Sequence, residues 1–338
     1  MNDISPDISR FSEKHHLELK VIRQRGNVRL WDLSDGVACI EWGAAPLSRV
    51  EEPVMAMLES SLDELEQRGL AGLIILGGNE DFAAGSDINT LIEAIRRKDW
   101  KWLEADVLRR QNLNHRIRQN RYPVVAAVHG LTLGLGCGLA MHATRICAAS
   151  NLKIGFSEVN SGLIPSSGGN KELLFRYSEN MKSGGPFPPA WQTFEKIFTG
   201  WRSDSAASAR QHHYLGRRDF IAANREDLLD LAKKTVSDIM RAGYNPPAPY
   251  MFTLPGEGGS LQIKLKLSEM HSAGEIDDHR RFIGEKLAHV VCGGNCLPSR
   301  PVSEEYLLGL SRECFISICQ APGTLERLEA TLKERMYF

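Results

Sequence analysis

The sequence predicts an α/β fold followed by a helical C-terminal region, and three observations carry that expectation. Short apolar runs such as "LAGLIILGG" and "PVVAAVHGL" are continuous rather than alternating, as strands buried on both faces must be. Longer segments with apolar residues at helical spacing separate them. From about residue 223 the helical pattern runs to the end, interrupted by "NPPAPYMFTLPGEGGS" and "CGGNCLPSRP", whose prolines and glycines suit exposed connections. With 338 residues, 42% of them hydrophobic, the chain can build one large core and an appendage.

Residues 1–27 are charged and aperiodic and read as a polar extension. "NVRLWDLSDGVACIEWG" gives two β-like runs around Ser34-Asp35-Gly36, a hairpin signal. "VEEPVMAMLESSLDELEQRG" is an amphipathic helix with an acidic first turn and Gly69 as its stop. "LAGLIILGG" is a buried strand, and "DFAAGSDINTLIEAIRRK" passes from a loop of small residues into a helix. A second helix, "DWKWLEADVLRRQNLNHRIRQN", leads through Pro123 into the strand "VVAAVHG". "TRICAAS" and "LKIGFSE" follow as further strands. The expected organisation is an extension over 1–27, a core over 28–222 and a helical region over 223–338.

The 41 basic and 42 acidic residues nearly cancel, so no global field recruits nucleic acid or an anionic membrane. No apolar run approaches the ~20 residues of a membrane span, and the polar N-terminus lacks the apolar segment of a secretory signal. A cytoplasmic protein is expected. The seven cysteines are odd in number and scattered, mostly within apolar stretches, which favours free buried thiols over a disulfide framework. Cys292 and Cys296 lack the second ligand pair of a structural zinc site, and no histidine falls in an HExxH pattern. Neither a metal nor a resident cofactor is expected.

Three segments have the form of backbone ligand-binding loops. In "DFAAGSDI" the small residues Ala83 to Ser86 let main-chain atoms approach a ligand just before a helix begins. "HGLTLGLGCG" does the same before the next helix, and "SGLIPSSGGNKELL" ends in a third such turn. Peptide N–H groups from the first two loops could converge on one oxygen and stabilise it as an enolate, each contributing on the order of 3 kcal/mol. Singly, each loop also suits simple strand-to-helix packing.

The order and separation of "FAAGSDI", "PVVAAVHGLTLGLGCGLA" and "IGFSEVNSGLIPSSGG" resemble the signature of the crotonase superfamily, the enoyl-CoA hydratases and isomerases. "IFTGWRSDSAASARQHHYLG" is similar to the segment that follows the active site in that family. From about Gly26 to about Lys333, including "KLAHVVCGGNCLPSRPVSEEYLLGLSRECFISIC", the chain resembles the hydratase portion of bacterial proteins that fuse a 3-hydroxyacyl-CoA dehydrogenase to a hydratase. No strand, GxGxxG turn and helix for a dinucleotide is present.

The resemblance implies a crotonase-like spiral of ββα units with a helical C-terminal region that covers the pocket and joins subunits into a trimer or hexamer. It implies oxyanion-hole donors at the backbone N–H groups of Ser86 and Leu135. Ala84, Asp87 and Ile88 would line the path of CoA and acyl chain, with the Ala84 carbonyl facing adenine, and Gly134 and Gly136 would let the backbone come close to the ligand. Of the two carboxylates that family hydratases use, the second matches Glu158 in "GFSEV", while the first falls on Gly138. A single carboxylate at the Glu158 position suffices for family isomerases, which remove a proton from one carbon and return it to another. By spacing alone, Glu158 could equally be a surface strand-end residue.

Other positions depart from the pattern. "EWGAAPLSR" lacks the lysine and asparagine that relatives carry, Thr144 replaces an acidic residue, and Ser166 and Ser167 replace small ones. Ser166 could hold a water or cap its own loop, and Arg96 to Lys98 could meet phosphate or simply end a solvated helix. The expected function is enolate-stabilising chemistry on a CoA thioester, isomerisation favoured over hydration. The rival is a catalytically silent homologue that binds acyl-CoA or assembles with a separate 3-hydroxyacyl-CoA dehydrogenase.

Overall fold

The structure, a computed structural model, describes residues 5–42, 49–78, 80–85 and 87–336. The chain begins with α1 (Pro6–His15), β1 (Lys20–Arg25), β2 (Val28–Asp32), β3 (Val37–Trp42) and α2 (Glu52–Arg68). There follow β4 (Gly72–Leu76), β5 (Ala83–Ala84), α3 (Ile88–Arg97), α4 (Trp100–Gln119), β6 (Val124–Val128), β7 (Leu131–Leu133) and α5 (Leu135–His142). Next come β8 (Arg145–Ala149), β9 (Lys153–Gly155), α6 (Gly169–Asn180), α7 (Phe187–Phe198), α8 (Ala206–Gln211), β10 (Phe220–Ala222) and α9 (Leu228–Arg241). The C-terminal part holds β11 (Met251–Phe252), α10 (Gly256–Ser272), α11 (Asp278–Val291), β12 (Val302–Ser303), α12 (Glu304–Cys319) and α13 (Thr324–Met336). The chain divides into two compact units.

The first unit comprises Met1–Ser86, Asn112–Ile154 and Ser203–Pro247. Among its described residues is a seven-stranded sheet in the order β1-β2-β3-β4-β6-β8-β10. β1, β2 and β3 pair antiparallel, and every pairing from β3 onward is parallel. The expected hairpin turns at Ser34, Asp35 and Gly36, all at positive φ. β4 and β6 are buried along their whole length, which accounts for their unbroken apolar sequences. A smaller sheet, β5-β7-β9, runs beside them in sequence.

Two expectations need correction in this unit. Residues 6–15 and 20–25 are a helix and a strand rather than a tail, because Ile8 and Phe11 of α1 enter the same core as Ile74, Val125 and Cys147. Ser5, the N-cap of α1, also donates its backbone N–H to the buried Glu41 carboxylate at 3.0 Å. The boundary at residue 223 moves as well: α9 packs on the large sheet through Leu228, Ala232 and Val236 and belongs to the core.

The second unit comprises Asp87–Gln111, Gly155–Arg202 and Ala248–Phe338. It is built from helices, with the short pair β11–β12. A charged group lies inside it. Lys171, at the start of α6, places its Nζ 2.6 Å from Glu172 and 2.7 Å from Glu304, and all three side chains are almost fully buried. Glu304 also accepts from the Tyr250 N–H at 2.8 Å, so the ion cluster joins α6, α12 and the segment before β11.

Candidate active site

In the first unit, β5 and β7 run parallel, with Ala83 opposite Thr132 and Ala84 opposite Leu133. The two small-residue loops therefore leave neighbouring strands at the same level. Gly85 follows β5 at φ 103° and Gly134 follows β7 at φ 55°, ψ −119°, conformations that residues with a side chain rarely adopt. The Gly85 carbonyl is fixed by the Val50 N–H at 3.1 Å, and the Gly134 carbonyl accepts from Gly138 at 3.0 Å, the first bond of α5. Leu135 opens α5, so its N–H belongs to the first turn, which has no acceptor within the helix. Ser86, assigned the other donor, lies outside the described residues, as does most of "EWGAAPLSR".

Gly136 has a different task from the one its neighbours suggest. A Cβ there would lie 2.5 Å from the Ala83 Cβ, so glycine permits the close approach of α5 to β5 and not of a ligand. Gly138 is buried inside α5, where its carbonyl hydrogen-bonds His142 Nδ1 at 2.7 Å. Ala84 is 9% exposed. Thr144 is absorbed structurally: its hydroxyl meets the Val124 N–H at 3.1 Å and the Tyr244 hydroxyl at 3.2 Å.

The loop between β4 and β5, which delivers Ala83 to Gly85, is held from three sides. The Gly78 carbonyl is hydrogen-bonded by His129 Nε2 at 2.9 Å and by Arg225 at 3.2 Å. Asp81 accepts from the Leu131 N–H at 2.7 Å, and the Phe82 N–H donates to the His129 carbonyl at 3.0 Å. Arg225 is paired in turn with Asp7 of α1 at 2.8 Å. Burial and the charge of Arg225 push the His129 imidazole down to about 3, so it is neutral in this role. Sequence reasoning missed these supports because Asp7, His129 and Arg225 are far apart in the chain.

In the second unit, Glu158 opens a 3₁₀ turn, Glu158–Ser161, closed by Gly162 at φ 82°. Its carbonyl accepts from Leu163 at 3.0 Å. The residue is half-buried and its Oε2 is enclosed away from solvent, unlike a surface strand-end glutamate. Beyond the turn, Ser166 is buried and its carbonyl accepts from Gln111 Nε2 at 2.7 Å, while Pro165 accepts from the Ser311 hydroxyl at 3.2 Å.

Asp87 and Ile88 turn out to have local structural tasks. Asp87 is the N-cap of α3, accepting from the Asn89 N–H at 3.0 Å and the Thr90 hydroxyl at 2.6 Å. Desolvation works against ionisation there, but these bonds from Thr90 and Asn89 win and hold the carboxyl below its ordinary value. Ile88 is a buried first residue of that helix. Arg96 pairs with Glu329 at 2.6 Å, which favours the helix-end reading of that basic run. Glu172, paired with Lys171, is likewise committed to structure. All seven cysteines are free, with Cys296 alone less than buried. Burial raises the thiols of Cys147, Cys292 and Cys319 to about 12. Among the described residues no group of histidine, cysteine and carboxylate side chains could hold a metal, and no helix is long and apolar enough to cross a membrane.

Parallel strands feeding paired glycine loops, a carboxylate on a buried turn and a helical C-terminal part define a crotonase-fold protein. Residues 45–181 match the family described as enoyl-CoA hydratase/isomerase. It is 34% identical over 315 residues to a probable 3-hydroxyacyl-CoA dehydrogenase of Bacillus subtilis, a match covering 92% of this chain and 39% of that protein. A probable enoyl-CoA hydratase of Bacillus subtilis is 34% identical over 129 residues, covering 38% of this chain and 49% of the relative. The chain thus spans well under two thirds of the length of these curated relatives. The crystal structure of an enoyl-CoA hydratase from Rhodobacter sphaeroides shares the fold, with a TM-score of 0.65 at 20% identity over 92% of this chain and 90% of that one.

Proposed function

We propose that the protein is an acyl-CoA thioester enzyme of the enoyl-CoA hydratase/isomerase type, which moves a double bond by way of an enolate and hydrates poorly. The observation that supports this reading is the in-register pairing of β5 with β7, from which the Gly85 and Gly134 loops leave at one level; the reading asks those loops for two main-chain donors. Peptide donors from Ser86 and Leu135 would bind the thioester oxygen as it gains charge. Glu158 would act as the single acid/base, taking a proton from one carbon and returning it to another. Gly138 stands where family hydratases carry their other carboxylate, so the group that would orient and deprotonate water is missing. The substrate supplies the CoA; no cofactor enters the reaction.

A second reading, a silent homologue that binds acyl-CoA or assembles with other subunits, draws on the same Gly138 and on the frequent reuse of such scaffolds. Under either reading a separate 3-hydroxyacyl-CoA dehydrogenase is the natural partner, and a trimer or hexamer the natural assembly. Titration with acetoacetyl-CoA separates the two, because its enolate absorbs in the near ultraviolet when two donors hold it. The enzyme reading expects that absorbance, and Glu158→Gln is then expected to remove isomerase activity by about 10² to 10⁴ while leaving thioester affinity within a few fold. Unchanged turnover in a folded Glu158→Gln protein would take Glu158 out of the mechanism.

A further inference from the structure

The turn that begins at Glu158 is held from outside by a side chain that neither the sequence nor the family signature singles out. Arg280, in the first turn of α11, donates from Nη1 to the Val159 carbonyl at 3.2 Å and from Nη2 to the Phe198 carbonyl at the end of α7. Its guanidinium lies over the Phe198 ring, 5.0 Å from the centroid. A planar fork is needed to reach two carbonyls and an aromatic face together. The Val159 carbonyl also accepts from the Gly162 N–H at 3.1 Å, so the group that Arg280 grips is the one that closes the turn.

We propose that Arg280 is a positioning residue for Glu158, fixing the turn that aims its carboxylate. The surroundings leave Arg280 free for this. Asp277 spends itself capping α11 through the Arg280 N–H at 2.7 Å and pairing with Arg327. Arg327 and His279 pack against Gly162, each 3.2 Å from where a Cβ would stand, so the far end of the turn is bounded too. The helical C-terminal region thereby takes part in the chemistry through α11, and not only as a cover or a subunit contact. A displacement of about 1 Å in a reacting group can cost on the order of 10²-fold in rate, and loss of this grip acts on that scale.

The inference rests on Glu158 as acid/base, and its test keeps the two claims apart. Arg280→Met, Glu158→Gln and the double variant are compared for isomerase kcat and KM, together with amide hydrogen exchange across residues 158–163. Arg280→Met is expected to lower kcat about 10 to 100-fold, leave KM within a few fold, and speed exchange at Gly162 and Leu163 while the α11 amides stay protected. In the Glu158→Gln background it should lower the residual rate no further. Unaltered exchange in the turn, unaltered kcat with Glu158 proven essential, or an undiminished loss in the double variant would each overturn the proposal. If Glu158→Gln alone has no effect, the acid/base reading fails, while the exchange result still decides whether Arg280 holds the turn. Should Arg280→Met not fold, Arg280→Lys, which can reach only one of the two carbonyls, is expected to give an intermediate loss, and wild-type exchange and kcat in that variant would count against the role.

Discussion

Gly136 and Gly134 show how neighbouring glycines in one motif answer to different physics. Gly134 is required by its backbone dihedrals, whereas Gly136 is required by the Ala83 Cβ, 2.5 Å from where its own Cβ would be. Gly136→Ala is therefore expected to destabilise the protein by roughly 1 to 3 kcal/mol, as overpacking does. Urea unfolding would show this as a lower midpoint at unchanged slope, and an unchanged midpoint would mean that α5 can move away from β5 at no cost. The motif "LGLGCG" announced a close approach without saying to what, because a glycine facing a ligand and one facing a strand leave the same mark in sequence. Glu158 was legible as a carboxylate in a recognisable place, but Arg280, which grips its turn from over a hundred residues later in the chain, left no local signal. Asp87 was legible as part of a loop motif and proved to be a helix cap.

At the scale of elements, strands with unbroken apolar sequences and helices with clear stops were readable, and α2 ends at Gly69 in the left-handed region as its sequence demands. α1 was not readable. Few of its residues are apolar, and only Ile8 and Phe11 reach the core, so its place depends on a sheet built by distant segments. The same element matters for the β4–β5 loop through Asp7, Arg225 and the Gly78 carbonyl. His129, on the other side of that carbonyl, makes the loop sensitive to acid. Its folded value of about 3 lies below the ordinary 6.5, so the folded state resists the proton. The stability it contributes is complete above pH 6.5 and is lost as pH falls toward 3, at up to about 1.4 kcal/mol per pH unit. Urea unfolding at pH 7.5 and pH 5 should show a steeper loss for the unmodified protein than for His129→Gln. Equal losses would mean that His129 takes up its proton within the folded state.

For the whole molecule, three loops in order carried the resemblance to a known family, and the family match over residues 45–181 covers those loops together with Gly138 and Glu158. The division into two units was not legible, because each unit is assembled from three separated segments of chain. The relatives that match most of this chain are more than twice as long as the segment it shares with them. What the chain does by itself turns on how many acids its site contains. The most direct measurement is a side-by-side assay of the unmodified protein and Gly138→Glu, following double-bond migration in 3-hexenoyl-CoA and water addition to crotonyl-CoA, with thermal unfolding of both proteins as a control. The single-carboxylate account predicts that the unmodified protein isomerises the first substrate and hydrates the second slowly, and that Gly138→Glu raises hydration by up to about 10² to 10⁴. Fast hydration of crotonyl-CoA by the unmodified protein, with no migration of the 3-enoyl double bond, would contradict it.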